Sequence, residues 1–239
     1  MESDSEVVKV AVVTGASRGL GEGLTRAFVD AGVRVGACAR TEPTVGDVRA
    51  GVDVTDRSAV RTFLERVAGE LGPIDLWVSN AGLLEPIAPV RDVDPEAFAR
   101  VVEVNLLGAL HCAQAYLGHR RALGSGCLVT ISSGAAQRGY PAWSAYCASK
   151  AGVDRLMECI ALEEPWVRAH AVAPGIVDTD MQAAIRATPA EVFPLVERFR
   201  GFKEAGAFNS PAHVARHLLD LATSAERREE TVFRVPDER

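Results

Sequence analysis

Thr14-Gly15-Ala16-Ser17-Arg18-Gly19-Leu20-Gly21 lies between a β-branched run at residues 7–13 and a segment at 20–31 with apolar helical spacing at Leu24, Ala27, Phe28 and Ala31. This context, a short strand before and a helix after, carries more weight than the glycines themselves. Glycine lets the chain turn sharply and lets backbone amides approach a pyrophosphate, which then rests on a helix N-terminus. The spacing Gly-x-x-x-Gly-x-Gly is one residue looser than the commonest dinucleotide fingerprint, and a purely structural glycine turn is the alternative.

The same alternation continues in both directions. Gly32 stops the first helix, and residues 33–39 read as a second strand. Residues 41–49, with Pro43 and Gly46, leave little room for a helix before a third strand at 50–54. Asp56 is placed to cap a helix over 57–71, Gly72-Pro73 ends it, and residues 74–79 form a fourth strand. A long helical region is expected over 95–123, with a bend near Gly108. A strand at 127–132, a helix at 146–163 and a strand at 167–172 follow. A last helix starts at Ser210-Pro211, with proline in its favoured first position, before a short strand at 231–235. Strands joined by helical crossovers imply an α/β fold: a single Rossmann-type, doubly wound parallel sheet of about seven strands with helices on both faces.

A chain of 239 residues with 48% hydrophobic content suits one such domain with an ample core. The net charge of −6 offers no dominant basic face and argues against nucleic acid. Residues 1–6 are acidic and polar, unlike a signal peptide, and no apolar run reaches the ~18 residues that a membrane span needs. Cys38, Cys112, Cys127, Cys147 and Cys159 are scattered and lack Cys-x-x-Cys spacing, so reduced, mostly buried thiols in a cytoplasmic protein are expected. Cys147 has no histidine placed to activate it. His213 and His217 lie four apart without a third ligand, so no metal is expected.

Tyr146 and Lys150 lie four apart in Ser144-Ala145-Tyr146-Cys147-Ala148-Ser149-Lys150, on one face of a helix. A phenol titrates near ~10, and a neighbouring ammonium brings it toward the working range of a proton-transfer group. Ser133 closes the run Cys127-Leu128-Val129-Thr130-Ile131, at the carboxyl end of a strand where open α/β sheets bind ligands. Alone, the pair also fits a surface helix with a packed tyrosine and a solvated lysine.

Together these stretches resemble the short-chain dehydrogenase/reductase family over nearly the whole chain. The resemblance rests on residues 14–21, Asp53-Val54, Asn80-Ala81-Gly82, Asn105, Ser133, Tyr146 with Lys150, and Pro174-Gly175-Ile176-Val177-Asp178-Thr179. Ser79 departs from it, standing where the family has a first asparagine. The resemblance implies that Tyr146 is the general acid for carbonyl reduction and the base for alcohol oxidation. Lys150 lowers its pKa and binds the nicotinamide ribose, while Ser133 holds the substrate oxygen. Asn105 anchors a water on the proton path, although an asparagine in an apolar helical stretch can instead serve bending or packing. A nicotinamide dinucleotide is expected against Gly15, Ser17, Arg18, Gly19, Leu20, Gly21, Asp53, Val54, Asn80, Ala81, Gly82, Tyr146, Lys150, Pro174, Gly175, Val177 and Thr179.

The end of the second strand decides which dinucleotide. An acidic residue there binds the ribose hydroxyls, whereas an arginine pairs with a 2′-phosphate. The strand ends Cys38-Ala39-Arg40, and Arg18 in the turn can reach the same place, so NADP(H) is preferred over NAD(H). Glu42 keeps the unphosphorylated cofactor open.

Residues 176–210 cover the substrate in the family. Here they hold Met181, Ile185, Phe193, Leu195, Val196, Phe199, Phe202 and Phe208 among many charges, the composition of an amphipathic covering helix. Residues 178–186, Leu84-Glu85-Pro86 and Gly134-Ala135-Ala136 resemble the branch with sepiapterin and benzil reductases. An NADPH-dependent reductase of an aromatic ketone or vicinal diketone is the leading expectation. A 3-oxoacyl or polyketide-type ketoreductase, an alcohol dehydrogenase and a non-catalytic nicotinamide sensor are the alternatives. A small-molecule carbonyl substrate and a homodimer are expected, with apolar faces Ala109, Ala113, Tyr116 and Val153, Met157, Ile160 at the interface. The charged end (226–230 and 236–239) speaks against a tetramer.

Overall fold

The computed structural model describes residues 7–224 and 230–238. The acidic stretch 1–6 and residues 225–229 and 239, on which part of the leader and tail arguments rest, lie outside the described residues.

Seven parallel strands form one sheet in the order β3-β2-β1-β4-β5-β6-β7. They are β1 Val10–Thr14, β2 Arg34–Ala39, β3 Val48–Gly51, β4 Leu76–Ser79, β5 Cys127–Ile131, β6 Arg168–Ala173 and β7 Val232–Arg234. β1, β4 and β5 are buried at every position, which is why they read as unbroken apolar runs rather than alternating ones. The order reverses between β1 and β4, so their carboxyl ends open a crevice for a ligand. Helices α1 Gly19–Asp30 and α8 Pro211–Thr223 pack one face around Leu24, Phe28, Val214 and Leu218. Helices α2 Arg57–Leu71, α3 Pro95–Val102, α4 Gly108–Arg120 and α5 Ser144–Glu163 belong to the other side, where Phe63, Trp77, Tyr116 and Met157 fill the core. Asp56, Asp94 and Ser210 cap α2, α3 and α8 by accepting from first-turn amides, which starts these helices where the sequence suggested.

Four expectations are corrected. β3 lies at Val48–Gly51, earlier than 50–54, because its register on β2 runs from Gly36↔Val48 to Ala39↔Gly51; Val52 and Val54 then bury themselves outside the sheet. The region 95–123 is interrupted by a π-helical turn, Glu103–Leu107, directly before Gly108, and ends in a 3₁₀ turn, Arg121–Leu123. Gly108 has ordinary helical angles, and a Cβ there would lie 2.7 Å from Val54 Cγ2, so it serves close packing rather than a bend. The covering segment is two helices, α6 Asp180–Ala187 and α7 Val196–Glu204, because Pro189 and Pro194 interrupt any longer one. Finally, Ala109, Ala113, Tyr116, Val153, Met157 and Ile160 are buried within the chain itself. An apolar helical stripe is claimed first by the helix's own sheet. Tyr116 shows this: its hydroxyl donates to Asp75 O at 2.7 Å and accepts from Cys127 N at 2.9 Å. Leu107, Ala148, Ala151, Cys159 and Leu162 are exposed residues of low polarity on α5 and the π turn.

Candidate active site

The glycine turn joins β1 to α1 with Gly15 at φ 65°. A Cβ on Gly15 would fall 2.7 Å from Ala81 Cα, and one on Gly21 only 2.2 Å from Gly15 O, so both positions admit glycine alone. Arg18 precedes α1 without any side-chain cap, which leaves first-turn amides of a 12-residue helix directed at the crevice. Thr14 Oγ1 accepts from Asn80 N at 3.1 Å and Ala81 N at 3.2 Å, and Asn80 Nδ2 donates to Thr14 O at 2.9 Å. The second loop is thus tied to the first by Asn80, while Ser79 only closes β4. Thr179 adjoins the turn, since a Cβ on Gly19 would lie 3.3 Å from its Cγ2. Val177 and Leu20 pack into the core beneath. Asn209 Nδ2 holds Pro174 O at 2.9 Å, and a Cβ on Gly175 would strike that amide at 2.4 Å.

Arg40 is exposed just past β2, on the far side of the turn. Arg18 does not join it, because its guanidinium pairs with Asp180 of α6 at 3.1 Å. Both members of that pair are largely exposed, so it contributes little. Asp53 receives Thr55 N and Oγ1 at 3.0 and 2.8 Å and pairs with Arg100 at 3.0 Å. Burial pushes its pKa up, but these bonds outweigh that and hold it below the usual carboxylate value. Val54 is buried beside it.

Ser133 and Tyr146 come together at the carboxyl end of β5. Ser133 leads into a 3₁₀ turn, Gly134–Ala136, with its Oγ accepting from Ala135 N at 3.2 Å. Its side chain also lines one cavity with Tyr146, near enough to act on the charge of that phenol. Burial pushes the phenol above its ordinary pKa, Ser133 opposes this, and Cys147 adds to it. The expected lowering by Lys150 is not present in the chain alone. Lys150 Nζ donates to Ile131 O at 2.7 Å and lies 5.7 Å from the Tyr146 ring centroid. Burial pulls the ammonium down to about 8, against an attraction to Asp154.

Asn105 sits in the π turn, buried, with Oδ1 accepting from Leu83 N at 2.7 Å and Nδ2 donating to Leu83 O at 2.8 Å and Ser149 Oγ at 2.9 Å. A Cβ on Gly82 would lie 3.4 Å from Asn105 Oδ1 and 3.6 Å from Lys150 Nζ, so the two side chains converge on one glycine.

Above Tyr146 a cavity of about 440 Å³ opens, walled by Leu84, Tyr140, Trp143, Ile185, Phe199 and Phe202. Trp143 stacks on Phe193 at 5.0 Å and on Tyr140 at 4.9 Å, and meets Tyr146 edge-on at 6.0 Å. The covering segment supplies the far wall as expected, but Phe193 is fully buried behind Trp143 rather than facing the cavity. Sequence reading missed Tyr140 and Trp143. The one signal for Trp143 was its place three residues before Tyr146, within reach of the same helical face. The His213 and His217 rings of α8 lie 4.5 Å apart at a tilt of 58°, and no cluster able to hold a metal occurs among the described residues.

Residues 9–190 match the family described as short chain dehydrogenase. The chain belongs to this family. Its members act on hydroxyl or carbonyl groups with a nicotinamide dinucleotide, and this chain's uncapped α1, its glycine cradle and the loop tied by Asn80 fit such a cofactor. The chain is 34% identical to a cis-4-hydroxycyclohexanecarboxylate dehydrogenase of Sinomonas cyclohexanicum, covering 91% of this chain and 90% of that one. It is 31% identical to a benzil reductase ((S)-benzoin forming) of Bacillus subtilis over 88% and 91% of the two chains. Among solved structures, a short chain dehydrogenase/reductase of Saccharomyces cerevisiae, YIR035C, superposes with a TM-score of 0.82 at 31% identity, over 90% of each chain. The benzil reductase relatives agree with the branch that the sequence resembles.

Proposed function

We propose that this oxidoreductase is an NADPH-dependent carbonyl reductase acting on an aromatic ketone or vicinal diketone. The observation that carries the proposal is that Ser133 and Tyr146 line one cavity whose walls are aromatic rings. Two hydroxyls there can meet one carbonyl oxygen, and the rings offer flat apolar surface to its substituents.

The bound dinucleotide supplies the hydride. Tyr146 gives its hydroxyl proton to the carbonyl oxygen, acting as general acid. Ser133 donates to the same oxygen, in a bond that strengthens as negative charge develops there. Lys150, buried one turn along α5, holds a positive charge near the phenolate that remains and favours it. Asn105 and Lys150 converge at Gly82, a suitable place for a water to return the proton. The raised pKa of Tyr146 keeps it protonated at neutral pH, as a donor requires.

The 2′-phosphate is assigned to Arg40, which is exposed beyond β2 and has no carboxylate partner among the described residues. The benzil reductases among the relatives favour the diketone, and the cyclohexanecarboxylate dehydrogenase favours a ring ketone. A homodimer in the cytoplasm completes the proposal. No described helix is long and apolar enough to cross a membrane. Incubation with NADPH or NADH and a panel of aryl ketones, diketones and 3-oxoacyl thioesters, followed by cofactor absorbance, tests the reading. Turnover confined to the thioesters would replace it by the ketoreductase alternative.

A further inference from the structure

The cavity over Tyr146 is bordered by two guanidiniums, Arg138 and Arg198, and neither pairs with a carboxylate among the described residues. The other charges at its edge are engaged: Arg234 with Asp237, and Glu238 with the Ser210 amide and hydroxyl. Each of the two cations is braced by a ring. Arg138 donates to the Tyr140 hydroxyl from Nε at 3.1 Å and from Nη2 at 2.6 Å, and Arg198 lies 5.5 Å from the Phe202 ring centroid. The braces belong to one cluster. Tyr140 meets Phe199 edge-on at 6.5 Å, Phe199 meets Phe202 at 5.8 Å, and Arg198 is the neighbour of Phe199 in α7.

Two unneutralised cations on the rim of an aromatic cavity suit a ligand that is apolar along its body and anionic at one end. Planar guanidinium forks match a carboxylate geometrically, and braced side chains lose less freedom when it arrives. A wholly apolar ligand would make no use of either charge. We propose that the carbonyl substrate carries a carboxylate, bound by Arg138 and Arg198 at the cavity mouth while its carbonyl meets Ser133 and Tyr146. This assignment rests on the carbonyl-reductase reading above.

The test uses matched pairs: 4-acetylbenzoate against 4-acetylbenzamide, and benzil-4-carboxylate against benzil-4-carboxamide, with NADPH and NADH each supplied. In the wild type, kcat/KM for the acid should exceed that for the amide by about tenfold or more, the size of a charge-assisted contact at an exposed rim. The advantage should shrink in about 0.5 M salt. The double variant Arg138→Gln/Arg198→Gln should bring the ratio toward one, mainly through KM, and Arg138→Lys/Arg198→Lys should keep part of it. Turnover of acid and amide at equal kcat/KM by the wild type would overturn the carboxylate assignment alone. A full wild-type ratio in the double glutamine variant would do the same. No turnover of any ketone with either cofactor would overturn the reductase reading beneath it.

Discussion

The hydroxyl of Ser132 donates to the carboxylate of Asp154, which stands one helical turn beyond Lys150 on α5. Gln137 Nε2 donates to the other carboxylate oxygen at 3.1 Å. Burial pushes the Asp154 pKa up, and the bonds from Ser132 and Gln137 work against that rise. The pair clamps the end of β5, and therefore Ser133, onto the helix that carries Tyr146. Asp154→Ala would leave a buried hydroxyl without its acceptor, at a cost of about 1–3 kcal/mol. A double-mutant cycle with Ser132→Ala should return a coupling of about 1 kcal/mol or more by denaturant titration. Additive losses would mean that the two groups do not act as a pair.

Tyr146→Phe should keep the fold and cofactor affinity, because the ring and its edge contact with Trp143 survive. Removal of the proton donor should lower kcat about 10²-fold or more. Near wild-type turnover of the same ketone would remove Tyr146 from its role.

Arg40→Asp takes away a phosphate partner and adds a carboxylate where ribose hydroxyls would lie. The ratio of kcat/KM for NADPH to that for NADH should fall by at least about tenfold. An unchanged ratio would place recognition of the 2′-phosphate elsewhere, with Arg18 the next residue to vary.

Lys150 links stability to pH. Folding lowers its pKa from 10.5 to about 8, chiefly through burial, so the unfolded chain binds the extra proton between these values. This group therefore costs stability at neutral pH, by about 3 kcal/mol, and the cost fades as pH rises from about 8 to 10.5. Lys150→Met should be more stable than the wild type at pH 7, by less than the full cost because the bond to Ile131 O is lost. The gap should close by about pH 10. Paired urea titrations at both pH values measure it, and a gap that widens with pH would contradict the assignment.

Association should use the exposed side of α5, where Ala148, Ala151, Cys159 and Leu162 share one stripe, together with Leu107 of the π turn. Ala151→Arg combined with Leu162→Glu should convert a dimer into a monomer in light scattering at micromolar concentration. A wild-type monomer would refute the dimer, and a dimer that persists in the variant would refute this face.

What could be read along the chain is what local chemistry decides. Alternating apolar runs and helical spacing declare a parallel sheet with crossovers, since a strand buried on both faces tolerates no polar alternation. The turn from Thr14 to Gly21 declares its close approach through glycine, and Tyr146 and Lys150 declare a shared face through the helical repeat. The Asp56 cap and the Ser210-Pro211 pair mark their own helix starts.

The remainder was settled by contacts between residues far apart in sequence. Asn105 finds Leu83 and Ser149 only because a π turn aims it inward. Arg18 turns to Asp180 because α6 folds over the glycine turn, a neighbour that nothing near Arg18 announces. The stripe at Val153, Met157 and Ile160 has the same spacing whether it faces a partner or its own sheet, and only the packing of α5 onto the core sends it inward. The cavity follows the same rule. Tyr140 and Trp143 come from the β5–α5 loop, and Phe199 and Phe202 from α7. Their ring contacts form only when the covering helices close over the carboxyl end of the sheet, which no periodicity in the chain encodes.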